Sequence, residues 1–116
     1  MQFYENCIFL SVHQNYFEDS RYSGAQFFYS ANDPTSKLLA AKLQETVRST
    51  IQPDNTREIK ACGKEIFLMA NATSTAVLAE CGFLSNQNEA QLLGTDEYQT
   101  KIAFALFCGI LKYTGS

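Results

Sequence analysis

Apolar residues in this chain come in two patterns, short dense runs and runs with helical spacing, and the two alternate. Residues 7–12 (CIFLSV) form a near-continuous apolar stretch, as in a strand buried on both faces. His13 follows, where such a strand is expected to end. The polar and aromatic segment QNYFEDSRYSG reads as a loop. Residues 25–29 (AQFFY) predict a second strand, with Phe27 and Phe28 pointing to opposite faces. Asp33-Pro34 signals a helix start, because Asp caps well and Pro suits the first helical position. Leu39, Leu43, Val47 and Ile51 recur every four positions and predict an amphipathic helix, which Gln52-Pro-Asp-Asn ends.

Beyond residue 55 the pattern weakens and then returns. Ile66-Phe-Leu-Met fits a short strand, and Asn71-Ala-Thr-Ser-Thr a polar loop. Residues 76–79 (AVLA) predict a compact apolar strand leading into Glu80-Cys-Gly-Phe-Leu-Ser-Asn. Asn86, with Glu89 three positions on, forms the capping box of a short helix through Leu93, closed by Gly94. Thr95 caps a final helix with Ile102, Leu106, Gly109, Ile110 and Tyr113 along one side. Strands alternating with helices predict an α/β fold: a mostly parallel sheet flanked by helices, in a single domain over residues 1–116.

Composition narrows the classes. Of the 116 residues, 46% are hydrophobic and 13% aromatic, which excludes intrinsic disorder. A net charge of −3 with no basic run excludes a nucleic-acid binder, whose affinity rests on clustered Lys and Arg. No stretch approaches the roughly 20 apolar residues of a membrane span. No basic segment followed by an apolar one marks a signal peptide at the N-terminus. Cys7, Cys62, Cys81 and Cys108 show no C-x-x-C spacing, and their neighbours favour free thiols over two disulfides. A single histidine means that this chain alone cannot complete a site needing two or three.

In α/β sheets, functional groups gather where strands end at the carboxyl edge. His13 and Glu80 both stand at such a position, and they share one crevice if their strands are adjacent and parallel. The competing reading makes His13 a structural or surface residue. A carboxylate ending an apolar strand is harder to dismiss, since it must be paired or solvated. Cys81 with His13 has the composition of a Cys-His nucleophile pair, but nothing near Cys81 in sequence supplies a positive field, and a small packing residue explains it better. Arg57 is either an anion holder or a solvated surface charge. Tyr16, Phe17, Tyr22, Phe27, Phe28 and Tyr29 can line a groove or fill a core. Walker, Rossmann, HExxH and nucleophile-elbow motifs are absent.

Taken together, FLSVHQNYF, GAQFFYS, SKLLAAKLQ, NTREIK, AVLAECGFLSN, EAQLL and EYQTKIAFALFCGILKY follow the order and spacing of one family. The chain resembles the zinc-dependent N-acetylmuramoyl-L-alanine amidases of type 3, nearest their spore-cortex, germination-specific branch. The S-x-H-x-N element at Ser11–Asn15 and the E-C-G-F-L-S-N element at Glu80–Asn86 carry the resemblance most specifically. It implies a zinc-amidase-like fold and hydrolysis of the amide between N-acetylmuramic acid and the L-alanine of peptidoglycan. It further implies His13 as a Zn2+ ligand and Glu80 as the catalytic carboxylate; Asn15 and Arg57 are the candidate substrate contacts beside them. The family works in the cell envelope or the spore cortex.

The departures from the family pattern also yield expectations. The family's other ligand histidine and its ligand glutamate precede the S-x-H-x-N strand, and this chain has no counterpart to either. Glu18, Glu45, Glu65 and Glu89 do not match the ligand position. Thr75 replaces a proline usual before the AVLAE strand, and NQNE stands where the family has NPEE. The chain is therefore expected to be the C-terminal two-thirds of an amidase catalytic domain, missing its N-terminal strand-helix portion and inactive alone. The alternative is a non-catalytic remnant acting as a binding or association module, self-associating through an exposed sheet edge.

Overall fold

The structure is a computed structural model and describes residues 7–15, 19–62 and 74–115. In chain order its elements are strands β1 (Ile8–Asn15) and β2 (Gln26–Tyr29), helix α1 (Pro34–Thr50), strands β3 (Lys60–Ala61) and β4 (Thr75–Phe83), and helices α2 (Gln87–Leu93) and α3 (Asp96–Thr114). The strands form one sheet in the order β1-β4-β2-β3. β1 pairs parallel with β4, and β2 parallel with β3, whereas β2 and β4 run antiparallel. The predicted α/β architecture therefore holds, with one antiparallel seam in the middle of the sheet.

The helix signals act as read. Asp33 accepts the Thr35 N–H at 2.9 Å with Pro34 opening α1, Asn86 accepts Glu89 N–H at 3.0 Å, and Thr95 accepts Tyr98 N–H at 3.2 Å. Leu39, Leu43 and Val47 of α1 meet Ile102, Ala105 and Leu106 of α3 over Phe27, Val77, Ala79 and Cys81 of the sheet, which makes one buried core. On the other face, Ala76 and Leu78 form a smaller cluster with Phe9, Phe28 and Cys62. Phe27 and Phe28 thus divide between the faces as their alternation predicts.

Several boundaries differ from the sequence reading. β1 continues through His13 to Asn15, and β4 runs from Thr75 to Phe83, so His13 and Glu80 lie within strands rather than just past them. In β1 the ladder outlasts the apolar run, and in β4 it passes the single polar Glu80 into buried Cys81, Gly82 and Phe83, because pairing keeps both chains extended. β3 has no apolar signal, since both of its residues are exposed. The proposed strand Ile66–Met69 lies outside the described residues. Among the described residues the four cysteines are free thiols, and only Cys81 is buried.

Polar side chains from the helical layer complete the sheet. Gln44, buried in α1, accepts the Phe27 N–H through its Oε1 and donates from Nε2 to the Ala25 carbonyl, at 3.2 and 3.0 Å. Ser36 Oγ accepts the Ala76 N–H at 2.9 Å. These bonds dock α1 onto both β2 and β4 and satisfy backbone groups that burial would otherwise leave unpaired.

Gly109 sets the approach of α3 to α1. A Cβ placed there would sit 2.7 Å from Leu43 Cδ2 and 3.2 Å from Leu43 Cα, so the missing side chain lets the helices close. Gly109→Val is expected to lower stability by about 1–3 kcal/mol through overpacking. Urea denaturation read by circular dichroism checks this, and an unchanged midpoint would show that the contact yields freely.

Candidate active site

Parallel pairing of β1 with β4 sets His13 directly opposite Glu80. β4 also pairs with β2, where Gln26 stands opposite Glu80. Directly opposed residues share a face, so His13, Glu80 and Gln26 form a row across three strands. Strand alternation places this row on the face of Ala76 and Leu78, away from the core of α1 and α3. The adjacency on which the sequence reading depended is thereby present.

The row is polar and unevenly satisfied. His13 is exposed, and its Nε2 lies 2.6 Å from Ser11 Oγ. Glu80 is half-buried, and its Oε2 is buried with no hydrogen-bond partner among the described residues. Burial pushes the Glu80 carboxyl above the usual range, and the neighbouring His13 charge partly offsets that rise. A buried carboxylate oxygen without a partner is costly to a structure and useful to a site.

Gln26 links the row to Arg57. Arg57 donates from Nη1 to Gln26 Oε1 at 3.1 Å and from Nε to the Ser23 carbonyl at 2.8 Å. Its guanidinium also packs over Phe83, 4.5 Å from the ring centroid, and over Tyr22 at 5.4 Å. Arg57 therefore clasps the segment before β2 to the end of β4. Asn15 ends β1, with its side chain outside the described residues. Tyr16 and Phe17 lie outside them altogether.

Glu89 departs from its expected role. Asn86 caps α2 as predicted, but the Glu89 carboxylate does not return to the Asn86 N–H as a capping box requires. It accepts the Phe83 N–H at 2.6 Å and the Gly24 N–H at 2.9 Å instead. Gly82 makes room for it, because a Cβ there would lie 2.7 Å from Glu89 Oε1. The orphan donors at the end of β4 attract the carboxylate more than the helix start does. Gln26 and Gln44 are the supporting residues that sequence reasoning missed, since an isolated polar residue in an apolar element carries no pattern signal of its partners.

Cys81 is unsuited to nucleophilic work. It belongs to the helix-side core, and burial, reinforced by the Glu80 charge, pushes its thiol up to about 11. Among the described residues no neighbouring charge lowers the Cys81 pKa toward a thiolate.

The profile of the N-acetylmuramoyl-L-alanine amidase family matches residues 2–112. The chain belongs to the N-acetylmuramoyl-L-alanine amidase family. It is 38% identical over 106 residues to the germination-specific N-acetylmuramoyl-L-alanine amidase of Bacillus subtilis, covering 91% of this chain and 44% of that protein. Among solved structures it is similar to the CwlD amidase of Clostridioides difficile, determined in complex with the GerS lipoprotein. That match has a TM-score of 0.89 and 42% identity, covering 93% of this chain and 54% of the other. The AmiC2 amidase of Nostoc punctiforme shares the fold, with a TM-score of 0.84 at 23% identity. The chain thus spans about half the length of these amidases or less. No helix among the described residues is long and apolar enough to cross a membrane.

The buried Glu89 and the half-buried Glu80 predict opposite effects. Glu89→Gln replaces an acceptor of two backbone N–H groups and is expected to cost about 1–3 kcal/mol. Glu80 behaves otherwise, because its folded-state pKa is raised. The native state therefore favours the neutral form, and stability falls as pH rises from the ordinary carboxylate range through the raised value. In chelated buffer, Glu80→Gln is expected to match the parent at acid pH and to be more stable near neutrality. Thermal unfolding across that pH range checks both variants. A Glu80→Gln protein less stable than its parent at neutral pH would contradict this assignment.

Proposed function

We propose that this chain carries part of a peptidoglycan amidase site, with Glu80 as general base and His13 as a Zn2+ ligand. The reaction is hydrolysis of the amide between the lactyl carbonyl of N-acetylmuramic acid and the L-alanine nitrogen. One observation carries the reading: His13 and Glu80, distant in sequence, stand opposite each other on paired strands, and the carboxylate keeps a buried oxygen uncommitted. Burial raises the Glu80 carboxyl above its usual range, which eases its uptake of a proton.

The residues present fit one sector of a catalytic zinc site: an exposed imidazole and a half-buried carboxylate beside it. No group of three or more His, Cys, Asp or Glu side chains able to hold a metal occurs among the described residues. His13 would be one of the residues to hold a zinc ion, which would supply Lewis acidity toward the attacking water and the scissile carbonyl. Glu80 accepts the attacking water's proton and returns it to the departing L-alanine nitrogen as the C–N bond breaks. The products are a carboxylate on the muramic acid and a peptide with a free amine. Asn15 and Arg57 are proposed substrate contacts, Arg57 through whatever donor capacity its clasp leaves. Peptidoglycan of the cell envelope or spore cortex is the proposed substrate, in keeping with the Bacillus subtilis relative.

A single imidazole holds zinc weakly, since affinity depends on the whole donor set. We therefore propose that the isolated 116-residue chain binds zinc loosely and turns over little. The second reading, an association module, rests on β1: among the described residues it pairs only with β4 and exposes Val12. Sedimentation velocity separates the two, with concentration-dependent dimers favouring association and a monomer at all concentrations opposing it.

The amidase reading predicts that amino groups released from peptidoglycan in the presence of zinc depend on Glu80. Glu80→Gln is expected to bring whatever release the parent shows down to the zinc-free background, with the fold retained. Release that is unaffected by this substitution would refute the assignment of the base.

A further inference from the structure

Ser11 and His13 are two positions apart on β1, so their side chains leave the same face of the sheet. The Ser11 hydroxyl lies 2.6 Å from Nε2 of the imidazole. Ser11 is half-buried and His13 exposed, so the hydroxyl ties down a ring that solvent would otherwise leave free to rotate. A neutral imidazole has one protonated nitrogen and one lone pair, and the partner of one nitrogen decides the role of the other. A serine hydroxyl can donate or accept. Of the two arrangements, only Nε2–H donating to Ser11 Oγ leaves a ring lone pair uncommitted, and that lone pair is on Nδ1.

We propose that Ser11 is a positioning residue that fixes His13 in the Nε2–H form and presents Nδ1 as the nitrogen that takes a divalent cation. The inference rests on His13 being a metal ligand, and it adds which atom ligates and what aims it. Ligating histidines donate their second ring N–H to a partner that fixes both the tautomer and the ring orientation. Here that partner is supplied from the same strand, two residues away. The ring can therefore be oriented before any cation arrives.

The chain contains one histidine, so its ¹⁵N spectrum contains one imidazole. With ¹⁵N-histidine in chelated buffer above the usual imidazole pKa range, long-range ¹H–¹⁵N correlations are expected to show protonated Nε2 and bare Nδ1. A protonated Nδ1 would overturn the proposal. On titration with Zn2+ the ¹⁵N perturbation is expected at Nδ1. Ser11→Ala is expected to weaken zinc binding about tenfold or more and to spread the perturbation over both nitrogens. Ser11→Thr, which keeps the hydroxyl, is expected to restore the parent behaviour, and backbone amide spectra establish that each variant is folded. Zinc perturbing Nε2 in the parent would sink the Ser11 proposal while leaving His13 a ligand. Zinc perturbing neither nitrogen would sink both. A Ser11→Ala chain with unchanged affinity and an unchanged Nδ1 response would show that the hydroxyl positions nothing.

Discussion

The site depends on the parallel pairing of β1 with β4. A strand alternates its side chains between faces, so a slip of β1 by one residue against β4 would carry His13 to the helix side, away from Glu80. The observed register avoids that and sets His13, Glu80 and Gln26 in one row. It is held from both sides. Ile8 and Leu10 pack toward the core of α1 and α3, and Phe9 packs with Ala76 and Leu78 on the opposite face. Apolar packing thereby specifies where two polar residues meet, although neither contributes to the packing.

A second layer of polar contacts holds the end of β4, where the strand leaves the sheet. Glu89 gathers the Phe83 and Gly24 N–H groups, while Arg57 spans Ser23, Gln26, Phe83 and Tyr22. Both residues join segments far apart in sequence at the same edge of the molecule. The contrast between the two glutamates is instructive. Glu89 spends its carboxylate on backbone donors and is structural, whereas Glu80 keeps an oxygen unpartnered beside an imidazole. The two carboxylates therefore differ in what their oxygens meet rather than in burial alone.

Much of this was legible in the sequence. The caps at Asp33, Asn86 and Thr95 and the stripe Leu39, Leu43, Val47 depend on local chemistry that a linear reading captures. The pairing of His13 with Glu80 was legible as a consequence of two apolar runs ending in polar residues, given adjacency. β3 was not, because a two-residue exposed strand carries no hydrophobic period, and its backbone partner Tyr29 lies a long way back in the chain. The full extents of β1 and β4 were also hidden, since polar His13–Asn15 end one apolar run and Glu80 interrupts the other. Glu89 shows the limit most clearly: its spacing from Asn86 was right for a capping box, yet stronger donors, distant in sequence, claimed it. Arg57 read as either an anion holder or a surface charge, and its contacts to Gln26 and Phe83 depend on tertiary proximity alone.

The central claim is the register that opposes His13 to Glu80, and cross-strand nuclear Overhauser contacts between β1 and β4 test it most directly. The account predicts Hα–HN contacts consistent with His13 opposite Glu80 and Val12 opposite Ala79. Contacts placing Val12 or Gln14 opposite Glu80 would put His13 on the other face of the sheet and contradict the site described.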